Sequence, residues 1–228
     1  MTPGPMAGGT LAALQGALAE IYDLPPTPDV HDFLLTRREH LAGVGQARAG
    51  DEQLIVAEEG DTLSLGLFID AAVLERLARQ DPFAALTGDN LADYLTAAEG
   101  VSHFVYVAWN AGHDKPVTLL ELELQAEVDK YVLGAWLLRA QGAGRFPREL
   151  HRALFERAHV DPCVAGDRAG LYRRASEYAG RFCRRVAARL ECVRRATDAH
   201  APRELLAELR RFYRWGSARK LDFIERCA

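Results

Sequence analysis

Long apolar runs are absent from this chain. The longest, Tyr131 to Leu138, has eight residues and follows directly on Asp129 and Lys130, whereas a membrane-spanning helix needs ~20. No membrane partner is therefore expected. Cysteine is scarce too: Cys163, Cys183, Cys192 and Cys227 are the four, and no two stand in Cys-x-x-Cys spacing. That excludes a disulfide-stapled miniprotein and argues against a paired-cysteine zinc site. Cys183 and Cys192 are nine positions apart, half a turn out of phase on a helix, so they face opposite ways and cannot share a metal. Lys and Arg are missing from the first 22 residues, and Glu20 interrupts the apolar stretch there. A secretory signal starts basic, so none is expected, and the thiols read as free ones in a cytoplasm. Missing as well are a Gly-x-Ser-x-Gly elbow, a Walker A loop and a His-Glu-x-x-His pair, which leaves no ready-made catalytic signature.

What is present is globular in composition. Of 228 residues 49% are hydrophobic and 26% charged, and the net charge of -4 is small; a disordered chain has fewer apolar residues and more net charge. The charge is unevenly placed. Residues 1–114 carry 5 basic and 17 acidic side chains, whereas residues 141–228 carry 20 and 11. The expected organisation is one domain with two lobes, an acidic one over 1–114 and a helical, basic one over 115–228. Blocks of opposite sign attract, within one molecule or between two. The first functional expectation is accordingly a non-enzymatic cytoplasmic binding or scaffold protein that meets a protein partner or a second copy of itself.

Periodicity predicts a mainly α fold, a helical bundle carrying one β-hairpin. Gln53–Glu58 and Thr62–Ile69 are rich in strand formers and flank the turn Glu59-Gly60-Asp61. In the second strand Leu63, Leu65, Leu67 and Ile69 form the inward face, opposite Phe68. Asp70 caps a following helix to Gln80. Helices are predicted over Thr10–Ile21, from Gly88-Asp89-Asn90 to Gly112, over Thr118–Gln141, Pro147–His159 and Ala169–Thr197, and from Pro202 to Cys227 with a break at Gly216. Thr118-Leu119-Leu120-Glu121 fits a capping box. The alternation Leu120-Glu121-Leu122-Glu123-Leu124-Gln125 competes as a strand, which turns the class to α+β if residues 101–125 are strands. The cap and the good helix formers around it favour the helix.

Two clusters stand out chemically. On a helical wheel Thr118–Gln141 is apolar on two sides, with Glu123 and Glu127 on a strip between them, so these carboxylates are expected to be buried and to need cations, donors or protons. Folding the chain back about residues 111–117 sets His103 opposite Gln125, with Glu99 one turn from His103. Glu99, His103, Glu123 and Glu127 are thus a candidate site for a divalent transition metal, because imidazole with carboxylates suits Zn, Mn or Fe, and also acid–base work. Glu156-x-x-His159 is a second Glu/His pair. The competing account is a structural polar network, with Lys130 neutralising Glu127 at i,i+3. The second cluster is the outer face of the Ala169–Thr197 helix, where Arg173, Arg174, Arg181, Arg184, Arg185 and Arg195 gather. Arg173, Arg181, Arg184 and Arg185 are candidate anion ligands, and nucleic-acid phosphate is the corresponding partner. The i,i+4 pair Arg173–Glu177 fits an ordinary solvated helix equally well.

Overall fold

The computed structural model describes residues 9–41, 50–60, 62–142, 146–156, 167–195 and 201–226. Asp61, His159, Cys163 and Cys227 lie outside the described residues, as does the side chain of Arg195. Eight α-helices and one three-stranded sheet are found among the described residues, a mainly α chain with a β element. None of those helices is long and apolar enough to cross a membrane. The chain forms two compact units, one made of Met1–Ala19 with Leu24–Lys115, the other of Glu20–Asp23 with Pro116–Ala228.

α1 (Gly9–Tyr22), which the first unit includes as far as Ala19, ends at Asp23 in the left-handed region (φ 54°) before Pro25-Pro26. Leu11, Leu14 and Leu18 recur at helical spacing and are buried. Gln15 holds the next loop from both ends of its amide. Its Nε2 donates to Thr27 Oγ1 (2.9 Å) and the Pro28 carbonyl (2.7 Å), and its Oε1 accepts from Val30 N (3.0 Å). The hairpin forms as its residues predict, β2 (Glu52–Glu59) antiparallel to β3 (Thr62–Ile69), with Gly60 at φ 60° in the turn.

One strand escaped the sequence reading. β1 (Leu34–Leu35) lies parallel to β3, pairing Leu34 with Leu67 and Leu35 with Phe68, so the order is β1-β3-β2. Two residues are too few to show a period of two. The extra strand makes β3 central, and this corrects the expected alternation. Leu67, Phe68 and Ile69 are all fully buried, on both faces, while Leu63 and Leu65 nearer the turn are only half-buried. Arg38 covers the Phe68 ring at 5.2 Å.

α2 (Ala71–Arg79) is capped by Asp70, whose Oδ1 accepts from Ala72 N at 2.9 Å. α3 (Leu91–Ala111) follows and packs on β2, β3 and α2. Asn90 starts it without capping it. Its side chain faces backwards, accepting from Thr87 N (2.8 Å) and donating to the carbonyls of Gln80 (3.1 Å) and Ala85 (2.9 Å), which closes the loop before the helix. Gly100 lets α3 settle on the sheet: a Cβ there would stand 3.0 Å from Leu67 Cδ1 and 3.1 Å from Glu52 Oε2.

The second unit is helical throughout its described residues. α4 (Leu119–Ala140) resolves the strand-or-helix ambiguity in favour of the helix, and Thr118 Oγ1 accepts from Glu121 N at 3.2 Å as a cap should. α5 (Phe146–His151) runs into a π-helical turn, Arg152–Glu156, in place of the straight helix expected to His159. α6 (Asp167–Arg195) packs against α4, α5, α7 (Ala201–Arg214) and α8 (Ser217–Arg226). Ala175, Ala179, Phe182, Cys183 and Val186 on α6 are buried. Phe182 stacks on Phe212 with ring centroids 4.0 Å apart. Cys183 and Cys192 face opposite ways as their spacing requires, one buried and one exposed, both free thiols.

Candidate functional site

α3 carries Glu99 and His103, and α4 carries Glu123 and Glu127; the two pairs belong to different units. In the first unit, Glu99 and His103 are one helical turn apart and offer ligand atoms within 4.8 Å of each other. His103 is only 4% exposed. A second carboxylate reaches it from the sheet: Glu52, the first residue of β2, sets Oε2 3.6 Å from His103 Nδ1. That distance is too long for a hydrogen bond. It is close to the ~3.3 Å that separates two ligands each ~2.0–2.1 Å from one tetrahedral ion. Gly100, between Glu99 and His103 in sequence, leaves the space into which the Glu52 side chain extends. Sequence reasoning missed Glu52 because it lies 51 positions from His103 at the edge of a strand, and neither spacing nor periodicity marks it.

In the second unit Glu123 is 5% exposed, and Glu127 is half-buried and accepts from Lys130 Nζ at 2.8 Å. Glu121, on the same helix, is buried and uses Oε2 to accept from the backbone N–H of Ser217 at 2.8 Å. An acid there meets the positive end of α8.

Next to these lies a wholly buried chain of polar groups that sequence analysis did not find. The Tyr22 hydroxyl donates to Asp129 Oδ1 at 2.5 Å, Gln125 Nε2 donates to the same oxygen at 2.7 Å, and Lys220 Nζ donates to Gln125 Oε1 at 2.7 Å. Asp129, Gln125, Lys220 and Tyr22 are each 0% exposed. A neutral amide thus separates a buried cation from a buried anion, with its donor end toward the acid and its acceptor end toward the base. Burial, reinforced by the charge and hydrogen bond of Asp129, pushes the Tyr22 phenol well above its ordinary range. Burial also raises the Cys183 thiol, with Glu127 and Asp129 adding to the effect. The signal available beforehand was Lys220 itself, one of three lysines in a chain with 28 basic residues.

The arginines of α6 divide into two groups. Arg173, Arg174, Arg181 and Arg184 are exposed. Arg185 is half-buried and bonds Glu208 Oε1 through Nε (2.8 Å) and Oε2 through Nη2 (3.3 Å), with Arg189 Nη1 3.0 Å from the same Oε2. Glu208 is 4% exposed, so Arg185 serves the packing of α6 on α7. No family model matches this chain, and neither does any curated protein or solved structure.

Proposed function

We propose that the chain is a cytoplasmic metal-binding protein, and that its acidic unit holds one divalent transition ion through His103 and a neighbouring carboxylate, Glu99 within 4.8 Å of it or Glu52 at 3.6 Å. The observation that carries this reading is the 3.6 Å separation of His103 Nδ1 and Glu52 Oε2, at ligand–ligand spacing and beyond hydrogen-bond length. Nitrogen with carboxylate oxygen is a donor set for Zn, Mn or Fe(II) rather than Ca or Mg. Fewer than four protein ligands leave a position for water, the arrangement in which a metal lowers the pKa of that water. Elemental analysis of the purified full chain tests the proposal. Metal near one equivalent that is lost in His103→Ala and in Glu52→Gln supports it. A folded, metal-free protein that takes up no Zn, Mn or Fe(II) on titration overturns it, and Glu99→Gln serves as the ligand variant if His103→Ala does not fold.

A second reading keeps the recruitment of a protein partner or a second copy, favoured by the exposed arginines of α6. Sedimentation at low and high salt tests it, because screening at ~1 M salt confines such attraction to about 3 Å.

A further inference from the structure

The second unit contains a cleft of about 320 Å³ lined by His151, Arg152, Glu156, Arg184, Ala187 and Ala188. One wall is the π-helical turn after α5 and the other is α6. A π turn holds its side chains off the ordinary helical positions and is frequent where helices carry function. Here it brings Arg152, His151 and Glu156 to one side of the cleft, while Arg184 comes from the opposite helix.

The imidazole in this wall is fixed. His151 is 5% exposed, and its Nε2 lies 2.8 Å from the Gly180 carbonyl. A carbonyl only accepts, so Nε2 carries the hydrogen. Nδ1 then stands 3.6 Å from Glu156 Oε1. Phe155 packs on the imidazole, with centroids 5.1 Å apart, and lies so close to α6 that a Cβ on Gly180 would meet it at 3.3 Å. The ring is therefore held from both sides.

The charges are unequal. Arg152 approaches Glu156 at a loose 3.9 Å, and Arg184 forms no ion pair or hydrogen bond among the described residues. Two arginines and a single carboxylate thus line the cleft. Guanidinium forks match oxyanions. A phosphoryl group has three terminal oxygens and can engage forks from both walls at once, whereas a carboxylate offers two oxygens in one plane. The cleft is also larger than a bare ion requires, since a cavity of ~10–15 Å³ on this measure already holds a water. Ala187 and Ala188 give the remainder an apolar floor suited to a short carbon body, and Glu156 can accept from a hydroxyl on it.

We propose that this cleft is a binding site for a small phosphate monoester, with the phosphoryl group between Arg152 and Arg184 and a hydroxylated carbon body toward His151 and Glu156. Calorimetric titration of the full chain with glycerol 3-phosphate, inorganic phosphate and malonate tests it. The expected result is one saturable site for glycerol 3-phosphate that prefers it to both simpler anions. Arg184→Ala and Arg152→Ala should each weaken it at least tenfold with the circular dichroism unchanged, and Arg173→Ala and His103→Ala should leave it intact. The His103 variant separates this site from the proposed metal centre, so either can fail alone. No saturable binding at millimolar ester overturns the proposal. So does malonate or inorganic phosphate binding as tightly as the ester, or Arg173→Ala weakening it as much as Arg184→Ala, which means diffuse attraction to a basic surface.

Discussion

Replacing Lys220 by methionine is the sharpest test of the buried polar chain. The thioether keeps the length of the side chain and its packing over the Phe212 ring, from which the ammonium lies 5.2 Å. It removes the donor to Gln125 Oε1, held at 2.7 Å in a site with no solvent exposure. A buried acceptor that loses its donor costs about 1–3 kcal/mol. Removing one charge from a buried compensated set costs about 3–5 kcal/mol, so the variant should lose several kcal/mol. With a urea m-value of about 2–3 kcal/mol/M, that lowers the unfolding midpoint by roughly 1–2 M. Asp129→Asn removes the opposite charge while leaving an oxygen for the Tyr22 and Gln125 donors. The double variant Lys220→Met/Asp129→Asn should therefore be more stable than the summed single losses imply, by about 1–3 kcal/mol, since neighbouring groups in one network couple. Urea unfolding of the four proteins measures this. Losses that add to within about 0.5 kcal/mol, or a Lys220→Met cost below about 1 kcal/mol, refute the claim that Gln125 couples the two charges.

Other outcomes follow from single contacts. Gly100→Ala gains about 1 kcal/mol of helix propensity but crowds Leu67 and Glu52, an overpacking cost of about 1–3 kcal/mol; net destabilisation with weaker metal retention is expected, by melting and metal analysis together. Glu121→Ala removes the acceptor at the start of α8 and should cost about 1 kcal/mol, read as a lower thermal midpoint. Iodoacetamide should label Cys192 in the folded protein and reach Cys183 only on unfolding, because Cys183 is buried and its thiol is held protonated; mass spectrometry of the peptides checks it. Burial raises the phenols of Tyr22, Tyr94, Tyr131 and Tyr213 above their ordinary value. The unfolded chain then releases those protons first as pH rises past ~10, so each tyrosine removes about 1.4 kcal/mol of stability per pH unit above it. Folding stability measured at pH 9 and 11 should fall accordingly, with no ultraviolet phenolate signal from these residues before unfolding.

The sequence disclosed what local chemistry dictates. The Gly60 turn, the Asp70 and Thr118 caps and the break at Gly216 each act over a few residues, and each marks an element boundary. Two of the three residues in the acidic unit's candidate cluster were legible in the same way, since Glu99 and His103 are one turn apart on one helix. What stayed hidden depends on distant partners. β1 is two residues long and exists only because β3 offers it an edge. Glu52 is an unremarkable charged residue until strand pairing carries it to His103, and Lys220, though rare in type, shows no partner until helix docking carries it to Gln125. Arg185 looks like Arg184 beside it in sequence, and only the docking of α7 beneath α6 distinguishes a packing residue from one that faces solvent.

The wider winding after α5 has a consequence for how this protein tolerates change. Because a π turn holds one more residue than an α turn over the same span, deleting Ala153 lets the segment rewind as ordinary helix. Arg152 and Glu156, then three apart, would still share one helical face, and the hollow opposite Arg184 would keep that wall although the chain had been shortened. At this place the identity of the lining residues, more than the length of the chain, keeps the hollow open.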